Sequence, residues 1–408
     1  MSMLVAVARA KKDAKALGHA VNCEVISLGG IRSVEDVDFS MFSKKIPIFF
    51  FGRDEIDIAL DVEDRIRKIT PIYQIVILSK KAVRNTRMEE IREAFEIAKA
   101  KLRLGFKFNG DVFLFSNKNE LGVEINPDYD AYFIIGRGFV ENTKEIFGVD
   151  VEEGNLIIRK LFNEEWIYTP KLKAVISKKI GEPLRVIIHH EEIEPKKISI
   201  SKMIEKNRNW LEKLEEIAID FIQRNVEGDV GVPFSGGKDS TATLILAKKA
   251  LGDVKALYVK VSHEMPYTEE YVEYVCESLG VELVKSEVFF DVKRFGIPTH
   301  DNRWCTKLKM EGLQRIATRT LIVGDRESES RIRRERSEIE YRVAKEIFPI
   351  KYWSGCMVQL YVLMNGLELH PLYYEGFYRL GCTICPSLSE WEKILLTKVC
   401  RCRGHRCE

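Results

Sequence analysis

The segment of this 408-residue chain best equipped for chemistry is Ser235-Gly236-Gly237-Lys238-Asp239-Ser240. Two adjacent glycines let the backbone approach an anion closely and adopt torsions that a Cβ forbids. Lys238 adds a cation, and Ser235 and Ser240 add hydroxyl donors, so the segment suits a phosphate group. It is not a Walker A loop. Counting back from Lys238 puts Val232 where the first glycine belongs and Asp239 where the hydroxyl belongs. The plain alternative is a Gly-Gly turn before a helix, with Asp239 an ordinary first-turn acid.

Two further groups of residues carry chemical potential. Arg326 follows the apolar run Thr320 to Val323, so it is expected at the carboxyl end of a strand, where a planar guanidinium can clamp a phosphate or sulfate. Arg334 and Arg336 are interspersed with acids and read as a solvated charge run. The nine cysteines are odd in number and crowd toward the C-terminus, which favours metal or redox chemistry over structural disulfides. Cys382-x-x-Cys385, between Gly381 and Pro386, can point two thiolates at one metal. In the tail, Cys400, Cys402, Cys407 and His405 are open to three readings: a Zn2+ site, persulfide carriers, or a frayed basic end. Cys23 and Cys276 read as small buried apolar residues, and His263 and His370 as structural histidines rather than substrate contacts.

The elements that must position these groups fall into two patterns. From about residue 44 to 190 the chain is a succession of short β-type runs (46–51, 73–78, 111–115, 131–135, 156–161 and 185–189) with one helical stretch, 86–104. Ser201 to Asn225 carries an apolar stripe at helical spacing, with a start signal at Ser199 or Ser201. Beyond Gly228, runs at 230–234, 256–261, 281–288 and 320–323 alternate with helices starting at Asp239, Thr268 and near Thr306. Strands alternating with helices imply a mostly parallel sheet, whose ligands sit at the carboxyl ends of the strands. The phosphate loop then lies at a strand-to-helix junction, where unpaired N–H groups and the helix dipole favour an anion. The expected architecture is α/β: an N-terminal α+β domain over residues 1–198, a doubly wound parallel-sheet domain over 199–388, and a cysteine-rich tail over 389–408.

Bulk properties constrain the partners weakly. Formal net charge is +2, so any basic surface must be local. No apolar stretch approaches the roughly 20 residues that span a bilayer, and a cytoplasmic, non-membrane protein is expected.

Ser-Gly-Gly-x-Asp-Ser after a strand resembles the PP-loop superfamily, whose members cleave ATP between the α and β phosphates. Four more segments extend the likeness to its phosphoadenosine phosphosulfate (PAPS) reductase-like members over roughly 230–392: His263 to Thr268; Arg303-Trp304-Cys305-Thr306 followed by Lys309; Gly324 to Arg333; and His370-Pro371-Leu372-Tyr373 with Gly381 to Pro386. The Asp-Thr-Gly usual before the first of these is Lys260-Val261-Ser262 here. The resemblance implies an adenine nucleotide alpha-hydrolase-like fold, pyrophosphate held by the loop and Mg2+ held in part by Asp239. It implies nucleotide contacts from Arg303, Arg326 and Arg333, and catalytic roles for Lys238, Asp239 and Arg326. It adds Cys305 to Cys382 and Cys385 as ligands of a [4Fe-4S] cluster, with Zn2+ as the alternative metal and Cys356 or a tail cysteine as a fourth ligand.

Three functions follow as expectations. The first is an enzyme that splits ATP into AMP and pyrophosphate to adenylate an acceptor, tRNA among the candidates, for displacement by a sulfur donor. The second is a PAPS or adenosine phosphosulfate reductase, although the usual Glu-Cys-Gly-(Leu/Ile)-His element is absent from a chain ending Arg406-Cys407-Glu408. The third is a non-catalytic nucleotide- or RNA-binding protein. A homodimer is carried as the expected assembly.

Overall fold

The computed structural model describes residues 2–31, 34–160, 164–177, 185–190 and 194–402. The tail residues His405 and Cys407 lie outside them, as does the side chain of Cys402.

The N-terminal half is richer than six strands and one helix. It opens with β1 (Leu4–Ala8), α1 (Lys11–Ala20), β2 (Glu24–Ser27), β3 (Ile46–Phe51), α2 (Ile56–Ile66), β4 (Gln74–Ile77) and α3 (Met88–Leu104). The four strands form an all-parallel sheet in the order β2-β1-β3-β4, with Ala6 opposite both Val25 and Ile48. Every residue of β1 and β3 is buried, as central parallel strands covered on both faces require. A hairpin of β5 (Phe106–Phe108) and β6 (Phe113–Phe115) follows. Then come β7 (Tyr129–Phe133), α4 (Arg137–Phe147), β8 (Leu156–Lys160), β9 (Glu164–Tyr168), β10 (Leu172–Ser177) and β11 (Arg185–Ile188), whose strands make an antiparallel sheet in the order β11-β10-β9-β8-β7.

Helix α5 (Ile200–Asn225) leads into the second half, and Ser199 caps it by accepting the N–H of Lys202 at 3.3 Å. Next are β12 (Val230–Pro233), α6 (Lys238–Leu251), β13 (Lys255–Val261), α7 (Thr268–Leu279), β14 (Glu282–Val288), α8 (Val292–Phe295), α9 (Trp304–Gln314) and β15 (Thr320–Ile322). The chain ends with α10 (Arg331–Glu335), β16 (Ile339–Tyr341), β17 (Lys345–Ile347), α11 (Gly355–Met364), α12 (Pro371–Tyr374) and α13 (Glu390–Cys402). The sheet order is β14-β13-β12-β15-β17-β16, parallel throughout except at β16. The mixed α/β fold expected of this half is what the structure contains.

The halves share a core. One hydrophobic cluster takes in Leu4, Ile48, Phe95, Phe106, Phe133, Trp210, Val232, Leu246, Ile322 and Tyr361. Helix α11 is apolar around nearly its whole circumference and correspondingly buried. From it Gln359 reaches the edge strand β7, accepting the N–H of Phe133 at 2.9 Å and donating to its carbonyl at 3.1 Å. Glu338 accepts the N–H groups of Met3 and Leu4, each at 2.9 Å. Helix α13 folds back onto α4 of the N-terminal half, where Trp391 stacks on Phe147 with ring centroids 4.7 Å apart. Residues up to 402 are therefore helical, and the frayed-end reading does not apply to Cys400, which is buried and disulfide-bonded rather than a free thiol. No described helix is long and apolar enough to cross a membrane.

Candidate active site

The phosphate loop joins β12 to α6. Gly236 has φ +71°, in the left-handed region that glycine adopts without a Cβ penalty, and Gly237 is the N-cap of α6 with no side chain to satisfy the first-turn N–H groups. Ser240 Oγ donates to the Gly237 carbonyl at 2.9 Å and lies 3.5 Å from Ser235 Oγ, which itself is on an exposed residue. The turn thus holds together before any anion arrives.

Lys238 is not a mobile surface cation. It is 1% exposed, with Nζ 2.6 Å from Asp239 and 5.4 and 5.6 Å from the ring centres of Tyr132 and Tyr373. Its own N–H donates to the Tyr373 hydroxyl at 3.0 Å. Burial lowers its pKa, and the Asp239 carboxylate offsets part of that. Burial alone would raise the pKa of Asp239, but Arg326 and Lys238 outweigh it and hold the carboxyl below its ordinary range.

Arg326 stands past the end of β15 and beside the loop, as expected, but not as a free clamp. It is 0% exposed, and its guanidinium is engaged by protein partners, Nε by Asp239 at 2.5 Å and a terminal nitrogen by Asp130 at 2.6 Å and Ser328 at 3.0 Å. Asp130 and Tyr132 lie on β7 of the N-terminal half, so the sequence position of Arg326 alone could not disclose its burial. Despite complete burial, which acts to raise it, the Asp130 carboxyl is pulled down to about 2 by Arg326. The neighbouring Glu327 is also fully buried, paired with Lys99 at 3.1 Å and with Arg103. Lys99 and Arg103 are four residues apart on α3 and so share one face of it.

Arg333 keeps more freedom, with its side chain 35% exposed and bound to Glu329 and, at 3.3 Å, to Asp325. Arg334 and Arg336 are not a solvated run: their side chains are 15% and 22% exposed and pair with Asp128 and Asp325. Arg303 is exposed and donates to Ser387 at 3.1 Å, tying the start of α9 to the loop after Cys385.

Cys305, Cys382 and Cys385 are free, partly exposed thiols. Cys382 forms a β-bridge with Glu264, and its pKa is pushed up to about 11, chiefly by burial, with Cys385, Glu264 and Cys305 raising it further. The three thiols are therefore near neighbours with the donor chemistry for a soft metal. As arranged, no group of three His, Cys, Asp or Glu among the described residues converges on a point where a metal ion could sit. Cys356 is elsewhere: it lies fully buried on α11, in the field of Asp130 and Arg326, and is no fourth partner for the other thiols. His370 is a buried cap whose Nδ1 accepts the Leu372 N–H at 3.2 Å. Cys276 is 3% exposed, whereas Cys23 is only partly buried.

Four contributors were missed: Lys99, Arg103, Asp130 and Tyr132. Asp130 left one trace, an acid inside the apolar strand Tyr-Asp-Ala-Tyr-Phe, where a buried carboxylate calls for a cation.

Residues 229–388 match the phosphoadenosine phosphosulfate reductase domain family. Among full proteins, the uncharacterized protein MJ0066 of Methanocaldococcus jannaschii is 34% identical over 227 residues, covering 50% of this chain and 47% of that protein. The uncharacterized protein MJ0973 of the same organism is 28% identical over 268 residues, covering 61% and 62%. The matches thus span about half to three-fifths of those relatives' length. Among solved structures, the phosphoadenylyl-sulfate reductase of Candida auris in its phosphate complex aligns with 40% of this chain and 93% of its own, at 17% identity and a TM-score of 0.33. So slight a likeness carries no functional argument.

Proposed function

We propose, from the match of residues 229–388 to the phosphoadenosine phosphosulfate reductase domain family, that the chain binds ATP at the 235–240 loop and splits it into AMP and pyrophosphate to adenylate an acceptor. The observation that carries this reading is the Lys238-Asp239 pair, held in the first turn of α6 by Arg326 from one side and Tyr373 from the other. An acceptor oxygen attacks the α-phosphorus and the bond to the β-phosphate oxygen breaks, so negative charge grows on the leaving pyrophosphate. The first-turn N–H groups of α6 beyond that of Lys238, which Tyr373 accepts, and the Lys238 ammonium meet that charge where it develops. A sulfur nucleophile from a donor then attacks the adenylated carbon, the carbon–oxygen bond breaks, and AMP departs.

Arg326 is a positioning residue in this scheme. Buried and fully engaged, it acts through Asp239, fixing that carboxylate and keeping it ionised. Asp239 retains 15% side-chain exposure and is the residue for Mg2+, which characteristically binds one or two carboxylates together with substrate phosphates. Bound there, Mg2+ would neutralise charge on the triphosphate. Both its oxygens are already engaged, by Arg326 and by Lys238, so a Mg2+ bound there would share that carboxylate with two cations. Arg333, about one-third exposed on the same motif (35%), is the candidate for a direct phosphate contact, and Arg303 for a contact from the α9 side. Cys305, Cys382 and Cys385 have the donor chemistry for a [4Fe-4S] cluster or Zn2+ that would handle sulfur. Their present arrangement does not close on a metal, so no step is routed through one.

The family match also supports a second reading, reduction of a sulfonucleotide. A protein thiolate would attack the sulfur, the sulfur–oxygen bond to the nucleotide would break, and a second thiol would release sulfite and leave a disulfide. The products separate the two. With ATP, an acceptor and sulfide, the first reading requires pyrophosphate and AMP; with PAPS and a dithiol, the second requires sulfite. Lys238→Ala should lower pyrophosphate release by roughly a hundredfold or more while leaving the far-ultraviolet circular dichroism spectrum unchanged. Release that persists in this variant would move the chemistry away from the loop.

A further inference from the structure

The segment between β14 and α9 combines exposed rings with unpaired cations. Phe289 is 73% exposed, Phe295 42% and Ile297 69%, whereas the adjacent Phe290 is buried at 2%. Phe295 rests on a firm base: it lies 5.2 Å from Trp304, and Trp304 meets Phe290 edge-on at 5.5 Å. The Arg294 guanidinium sits 5.0 Å from the Phe295 ring centre. Over residues 289–309 the sequence places Lys293, Arg294, Arg303, Lys307 and Lys309 against Asp291 and Asp301, which is five minus two, or +3, in a chain whose whole net charge is +2. Elsewhere cations are routinely spent on carboxylates, as in Arg331–Glu335 or Lys285–Glu273. Among the described residues none of these five makes a salt bridge with an acid.

The segment's position gives this surface its meaning. It leaves the carboxyl end of β14, and β12, which carries the phosphate loop, runs parallel to β14 through β13. Both segments therefore emerge at the same sheet edge, and Trp304 directly precedes Cys305.

We infer that residues 289–303 form a platform for single-stranded nucleic acid, with unpaired bases stacking on Phe289 and Phe295 and backbone phosphates meeting Lys293 and Arg294. Single rings set among cations suit a flexible polyanion with flat faces, because stacking tolerates any base and the charge tracks the backbone. A protein partner would call for a contiguous apolar surface with charges excluded from its centre. A paired helix keeps its base faces inside the stack and offers nothing to the rings. This inference rests on the proposed function only in taking the bound strand as the acceptor for adenylation; binding itself is independent of it.

The test is fluorescence anisotropy of a labelled single-stranded RNA of about twelve nucleotides, titrated with the full chain alongside the same sequence as a duplex. The single strand should bind more tightly than the duplex. Phe289→Ala, an exposed position whose change leaves the core intact, should weaken single-strand binding by about tenfold. Lys293→Ala with Arg294→Ala should flatten the dependence of log affinity on log salt by roughly 1.4, or about 0.7 for each lost phosphate contact. Lys238→Ala should bind RNA as the unaltered chain does. Equal affinity for strand and duplex, no effect of Phe289→Ala, or no binding at low salt would each overturn the platform. Loss of pyrophosphate release with intact RNA binding separates the loop from the platform, and RNA binding without any ATP cleavage by the unaltered chain would sink the proposed function while leaving the platform standing.

Discussion

His370 has a titration written into its surroundings. Burial among Tyr271, Tyr373 and Tyr267 lowers its pKa to about 3 from an ordinary 6.5, and its buried Nε2 has no hydrogen-bond partner among the described residues. The unfolded chain therefore binds a proton below pH 6.5 that the folded chain refuses until about pH 3, so this residue's stabilising contribution is complete above 6.5 and is lost as pH falls from there. The linkage amounts to something on the order of 4 kcal/mol across that window. In His370→Asn, which keeps an acceptor at the cap, thermal midpoints measured between pH 6.5 and 4 should decline less steeply than in the unaltered chain; an unchanged slope would assign the loss to another group. The histidine's structural role was legible from its type alone. The role of Arg326 was not, because a guanidinium after a strand looks the same whether water or Asp130 faces it, and Asp130 lies 196 positions away.

At the scale of elements, the junction of β15 with α6 is the tightest part of the site. A Cβ on Gly324 would lie 2.8 Å from the Asp239 carbonyl oxygen and 3.0 Å from the Ser240 nitrogen, both backbone atoms with no rotamer to yield. Gly324→Ala should thus displace the first turn of α6, costing about 1–3 kcal/mol in urea denaturation and weakening ATP binding in calorimetry. Unaltered ATP affinity would mean that the turn absorbs the shift without moving Asp239. The glycine's place in a motif was visible in the sequence, but its reason, the close approach of two backbones, belongs to the folded chain. Elements of the second half were legible because apolar runs of strand length alternate with amphipathic helices there. In the first half β1 begins at Leu4, where a short apolar run resembles any chain terminus, and β9 opens with two glutamates that mask its pairing. The parallel order β2-β1-β3-β4 left no local signature, since it depends on which strands meet.

Over the whole molecule, buried charge ties the halves as firmly as hydrophobic contact does. Arg326 is balanced by Asp130, and Glu327 by Lys99 and Arg103, all five groups at most 5% exposed in their side chains. Removing one member of a buried ion pair leaves the other uncompensated, at a cost of roughly 3–5 kcal/mol. Glu327→Ala should lower stability by about that amount, read as a shift of the urea midpoint at unchanged slope. A fragment of residues 199–408 alone should not fold cooperatively, because it would expose its share of the common core together with Arg326 and Glu327.

That arrangement limits how such a protein can be recombined. A chimera drawing its phosphate-loop half from a relative would inherit a guanidinium at the position of Arg326 in search of a carboxylate, and the host strand would have to supply one where Asp130 stands. A workable crossover point is thus set by which electrostatic debts travel together, rather than by where the linker is longest.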